Sequence, residues 1–289
     1  MNHKSKQLPL VSVLIFVYNS EEYIRESIDS ILSQTYKNIE LLICDDGSTD
    51  NTYNEIRNVV SDYAGPIPIQ VIKNISNKGR SYTRNRLIKI ASGEYIAWQA
   101  GDDISERNRI KIIMRKMLKN SDYVAVGGGL VMFDTCTNRI IGKRVYSADP
   151  SFLKRNIFRF SPFSDGTAVI KKSAVIESGL YNEQFTVAQD LDMAFKLGLI
   201  GQFSNVSDVV LRYRVHKRAA SYSKYKLQVL NTVYIRLWYS YEHHSVYKMS
   251  IFDKLANFST LLAISLSPRF SLVVFGKIRT IIGKLLMRA

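Results

Sequence analysis

Four times between residues 11 and 118 a short apolar, β-prone run gives way to a stretch with helical spacing. That alternation admits few folds. Strands are expected at Val11–Val17, 39–44, 67–72 and Tyr95–Ala100, and helices over 21–34, 53–63, 80–91 and 106–118. The first run, VSVLIFV, is rich in β-branched residues, the mark of a strand buried on both faces. Ile24, Ile28, Ile31 and Leu32 give the first helix one apolar stripe, and Pro66 and Pro68 end the second. The pattern predicts an α/β architecture, a mostly parallel sheet with helices on both faces. No G-x-G-x-x-G and no G-x-x-x-x-G-K-[ST] occurs, so a bound nucleotide must be held by carboxylates and backbone groups.

From Asp122 the rhythm changes. Short strands are expected at 123–126, 130–133, 140–145 and 167–170, then a short helix ending near Gly179. Gln189-Asp190-Leu191-Asp192 heads an apolar helix over 193–199, and an extended run over 206–215 closes on His216. Everything beyond reads helical and basic. The expected division is therefore a domain over 1–216 and a basic amphipathic helical extension over 217–289.

The fourth strand ends abruptly on two carboxylates, in YIAWQAGDD. Ligands of open α/β sheets bind at the carboxyl ends of strands. Asp102 and Asp103 would repel each other there unless a cation shares them. Ser105 is the expected N-cap of the helix that follows. Asp45 and Asp46 end the second strand in the same way, and Asp190 makes a third acidic spot. Asp50 reads as an N-cap, and Asp192 as solvent-facing or capping.

The order VSVLIFVYN, LLICDDGSTD, GEYIAWQAGDD, QDLDMAFKLGLIG resembles the family 2 inverting glycosyltransferases of the GT-A (Rossmann-like) fold, over about residues 8–216. That resemblance implies a metal-dependent hexosyltransferase that moves a sugar from a UDP-sugar to a hydroxyl of a growing, lipid-linked surface glycan. It implies that Phe16, Val17, Tyr18 and Asn19 lie against base and ribose, with Glu22 assisting. Asp46, with Asp45, would accept a uracil ring nitrogen. Arg80, Arg84 and Asn85 would flank the nucleotide and diphosphate, and Asp102 would face the donor. Asp103 and His216 would hold Mn²⁺ or Mg²⁺, and Asp190 would be the catalytic base. Bland alternatives stay open: Glu22 as a capping-box partner of Asn19, Arg80 and Arg84 as a solvated helix face, His216 as a surface residue. The chain departs from the family pattern where Phe16 and Val17 replace a proline and a small polar residue, at Gln189, and in A-G-D-D. The rival functions are a nucleotidyltransferase making a sugar nucleotide and a catalytically dead sugar-nucleotide-binding protein.

Charge adds a partner. Of the net +15, residues 217–289 carry +10, with 12 Lys and Arg against 2 Asp and Glu. With no groove-reading motif beside it, that excess points to an anionic membrane surface and away from nucleic acid, with an ordinary helical cap packed against the domain as the alternative for the tail. Cys44 and Cys136 form neither a disulfide framework nor a metal-ligand pattern, which fits a reducing compartment. With no signal peptide and no apolar segment long enough to span a bilayer, the expected location is cytoplasmic, peripheral on the inner face of the cell membrane.

Overall fold

The computed structural model describes residues 8–216 and 224–266. Strands β1 (Val11–Val17), β2 (Ile39–Asp45), β3 (Ile69–Lys73) and β4 (Tyr95–Ala100) pair in parallel in the order β3-β2-β1-β4. Their connections are α1 (Ile24–Leu32), α2 (Thr52–Asp62) and α3 (Arg80–Ile90). Alternation along β1 explains its apolar sequence. Val11, Val13, Ile15 and Val17 enter one core with Ile28, Ile31 and Ile56, while Leu14 enters the other with Leu87 and Trp98.

Past β4 the sheet becomes mixed. β8 (Val169–Lys171) lies antiparallel between β4 and β6 (Tyr123–Asp134), so β6 runs with β4 again. β9 (Gln202–Val215) then pairs in parallel with β6, and β5 (Ile104–Ser105) and β7 (Ile140–Arg144) are antiparallel additions. The two strands expected at 123–126 and 130–133 are thus one. Gly127–Gly128–Gly129 reads as a break, yet the chain passes through it with only a shift of register against β9. Side chains cannot fit there, because a Cβ on Gly127 would lie 2.5 Å from Asn205 Oδ1.

Helix α4 (Arg109–Met117) starts later than expected, and Ser105 is no cap: it belongs to β5 and bonds Gln99 and Arg109. After α5 (Pro150–Arg155), a 3-10 turn (Asp165–Thr167) and α6 (Lys172–Glu177), α7 (Gln189–Ile200) packs on the sheet. Beyond residue 223 follow α8 (Tyr225–Glu242) and α9 (Ile251–Leu266). Ile235, Tyr239, Tyr247 and Met249 join the same core as Trp98 and Phe195. No helix among the described residues is long and apolar enough to cross a membrane. The tail cations Lys277, Arg279, Lys284 and Arg288 lie outside the described residues.

Candidate active site

Parallel registry sets the site's floor. Val17 pairs with Asp45 and Phe16 with Ala100, so β1, β2 and β4 end on one edge of the sheet. The β1 and β2 loops are tied together there. Asn19, in the left-handed region at φ 51°, accepts from Thr49 N at 2.9 Å and donates its own N–H to Ser48 Oγ at 3.0 Å. Asp50 accepts from Thr52 N and Glu21 N and so cross-links the two loops, but the N-cap of α2 is Asn51, one residue later than expected. The α1 N-terminus shows no side-chain cap, so Asn19 and Glu22 form no capping box there. Tyr18 and Glu22 remain exposed beside this loop, with Val17 buried against Gly101.

The second pair of carboxylates faces inward. Asp45 accepts from Ser48 and lies 3.7 Å from Lys73, and Asp46 accepts from Asn74 Nδ2, Lys78 N and Gly79 N at 2.7–2.9 Å. Asp46 therefore shapes the loop that leads into α3.

Arg84 and Asn85 lie deeper than their expected place beside a diphosphate. Arg84 is buried, ion-paired to Asp165 at 2.5 Å, and stacked on Phe16, Trp98 and Tyr181 with its guanidinium carbon 4.4–5.0 Å from the ring centres. Burial alone would lower its pKa, but Asp165 more than offsets this. Asn85 bonds the backbone of Tyr181 in both directions and so fixes the 181–183 segment. Only Arg80, one turn earlier, keeps solvent contact. Its guanidinium carbon lies 6.0 Å from the Phe16 ring centre, at the end of β1.

Asp102 and Asp103 separate. Asp102 Oδ2 meets His216 Nε2 at 3.0 Å, at the end of β9. His216 Nδ1 is buried with no hydrogen-bond partner among the described residues. Asp103, expected at the cation, is instead only 3% exposed and accepts Arg214 N at 3.0 Å. Burial, then the charge of Asp102, push its carboxyl well above the usual range. No cluster of three or more His, Cys, Asp or Glu residues that could hold a metal occurs among the described residues. The Asp102 carboxylate and the His216 imidazole are the donor types that would hold a divalent ion at this edge of the sheet.

Asp190 stands in the first turn of α7, behind Ala188 at φ 62°. A left-handed alanine is uncommon and costs about 1–3 kcal/mol, and such strain clusters at functional sites. The Asp190 carboxylate is half-buried and has no hydrogen bond among the described residues. Asp192, expected in solvent or at a cap, is instead buried. It accepts Tyr239 Oη at 3.0 Å and pairs with Lys196 at 3.2 Å, so it anchors α8 to α7.

Several residues here escaped the sequence reading. Asp165 pairs with Arg84 across 81 positions of chain, and no local pattern marks it. Arg109 is fully buried and held by Gln99 Oε1, Ser105 Oγ and Trp98 O beneath Asp103. Arg214 donates to Asp102 O at 2.8 Å, pairs with Glu26, and stacks on Tyr23 and Phe133.

Residues 12–178 fit the family model described as Glycosyl transferase family 2. The chain is 30% identical over 222 residues to the UDP-Glc:alpha-D-GlcNAc-diphosphoundecaprenol beta-1,3-glucosyltransferase WfaP of Escherichia coli, covering 76% of this chain and 82% of that one. The chain belongs to glycosyl transferase family 2. Another family 2 relative, the putative glycosyltransferase EpsE of Bacillus subtilis (strain 168), is 37% identical over 168 residues. That alignment covers 57% of this chain and spans 58% of EpsE. Among solved structures, the S. aureus TarS fragment 1–349 in complex with UDP-GlcNAc superposes with TM-score 0.62 at 20% identity, over 78% of this chain and 66% of that one. The mannosyltransferase PcManGT of Pyrobaculum calidifontis, in complex with GDP-Man and Mn²⁺, gives 0.65 at 18%, over 94% and 81%. This chain has the GT-A fold.

Proposed function

We propose that this chain transfers a hexose from a UDP-sugar, with inversion, to a hydroxyl of a growing lipid-linked surface glycan. The observation that carries this reading is the half-buried Asp190 carboxylate in the first turn of α7, which has no hydrogen bond among the described residues. Asp190 takes the proton of the attacking acceptor hydroxyl, a role worth about 10²–10⁴ in rate. With one base on one face and no second carboxylate as covalent nucleophile, attack proceeds in line and the anomeric centre inverts. Asp102 and His216 would hold Mn²⁺ or Mg²⁺, which when bound neutralises charge on the departing diphosphate. Arg80 faces that diphosphate from α3. Phe16, Tyr18, Asn19 and Glu22 border the nucleoside end. Any uracil contact at Asp46 adds to three bonds its carboxylate already accepts.

The WfaP name specifies a UDP-glucose donor and a diphosphoundecaprenol acceptor, and TarS was solved with UDP-GlcNAc. These support a UDP-sugar and a lipid-linked acceptor for this chain. The +10 charge of residues 217–289 supports a site of action at an anionic, cytoplasm-facing membrane. Release of UDP from UDP-glucose and UDP-GlcNAc, with and without a GlcNAc-diphospholipid acceptor, tests the proposal. Acceptor-stimulated release with an inverted product is expected. Release of UDP with no glycosidic product under any pairing would overturn it.

A further inference from the structure

The transfer chemistry leaves one large surface feature unused. On α8, Leu227, Leu230, Tyr234, Leu237 and Tyr241 recur every three or four residues, and all are exposed, Tyr241 to 80%. The other side of α8, with Ile235 and Tyr239, is buried in the domain core. Thus α8 is apolar on both sides, and its outer stripe faces water. α9, linked to α8 by Arg236 Nη1 donating to Asn257 Oδ1 at 3.2 Å, adds exposed Ile251, Leu255, Phe258 and Leu262 at the same kind of spacing. Exposed apolar rows of this length mark an interaction site.

Position and charge narrow the partner. Asn231 Nδ2 donates to Val187 O at 3.1 Å, and the Tyr234 ring lies 6.2 Å from that of Phe185. The stripe therefore runs past the segment that ends on Asp190. Exposed Lys224 and Lys226 stand at the head of α8, and exposed Lys248 and Lys254 near the head of α9. Glu242 is the exposed acid on these helices, since Asp253 is buried against Arg159. A second copy of the chain would bring like charges together, whereas phosphate headgroups complement them. Tyr234, Trp238 and Tyr241 carry the apolar-body, polar-tip chemistry that favours a bilayer interface.

We propose that α8 and α9 form the docking surface for an anionic bilayer. α8 sets the mouth of the Asp190 site against the headgroups, so that a lipid-linked acceptor reaches the base without leaving the leaflet. The acceptor half of this statement rests on the transferase reading above, and the docking half does not.

The test uses the full chain and two variants, Leu230→Ser/Leu237→Ser and Lys224→Gln/Lys226→Gln. Partition is measured by sedimentation with vesicles of mixed phosphatidylglycerol and phosphatidylcholine, and with phosphatidylcholine alone. Each double variant should lower partition onto the anionic vesicles by about tenfold or more. UDP affinity and transfer to a short-chain, water-soluble acceptor should be unchanged, while transfer to a vesicle-borne acceptor falls in parallel. Unchanged partition in both variants overturns the docking surface. A dimer that becomes monomeric in the leucine variant, with vesicle binding intact, assigns the stripe to a second copy and also overturns it. Native protein that binds anionic vesicles through α8 yet transfers no sugar contradicts the transferase reading and leaves the docking surface standing.

Discussion

Asp102 and Asp103 are neighbours in sequence with opposite surroundings. Asp102 keeps partial solvent contact and meets His216, while Asp103 is sealed over Arg109 and receives Arg214 N. Manganese binding, followed by electron paramagnetic resonance with UDP present, separates their roles. Asp102→Asn and His216→Gln should each weaken Mn²⁺ by about tenfold or more, as loss of a ligand or its support does. Asp103→Asn should leave it within about threefold, because an amide still accepts from Arg214. The reverse order would return the ion to Asp103. The sequence showed the pair of carboxylates but could not show which one is sealed. That depends on Arg214, whose side chain also reaches Glu26 across 188 positions. Asp165 was illegible for the same reason, since its partner Arg84 comes from another element and the surrounding turn has no distinctive pattern.

At the level of elements, strands buried on both faces were legible because burial leaves a continuous apolar run, as in β1 and β4. β6 was not, because Gly127 to Gly129 look like a break when they in fact admit close neighbours. The link between α7 and α8 was also missed, since Asp192 reads as a polar helix residue until Tyr239 is seen beside it. Tyr239→Phe removes that bond from a buried carboxylate and should cost about 1–3 kcal/mol in urea unfolding. Loss of less than a few tenths would mean the contact carries no weight. α9 begins with a reciprocal cap in which Ser250 and Asp253 bond each other's backbone N–H. Burial raises the Asp253 pKa, but bonds from Ser250 and Arg159 outweigh it and leave the carboxyl below its usual value. A depressed pKa stabilises the fold above the unfolded value, about 3.9, and that contribution is lost as pH falls through the folded one. Asp253→Asn should therefore destabilise the fold near neutrality, with the gap closing in acid. A gap that widens in acid would contradict the assignment.

Across the whole molecule, the candidate site is assembled from segments far apart in sequence: the β1 and β2 loops, the β4 turn, the head of α7 and the first residue after β9. Residues 224–249 are bound into the same structure, since Ile235, Tyr239 and Tyr247 fill the core beside Phe195. Deleting residues 225–289 should yield a chain without a cooperative thermal transition, because several fully buried aromatic contacts are lost, each worth several kcal/mol. A cooperative transition near that of the full chain would show instead that residues 8–216 fold alone. The account turns on Asp190 as the base, and one comparison tests it most directly: transfer rate and UDP affinity in Asp190→Asn. An amide preserves size but cannot accept the proton, so transfer should fall about 10²-fold or more. UDP affinity should change by less than about threefold, under 1 kcal/mol. An Asp190→Asn protein that transfers sugar at the native rate would contradict the account.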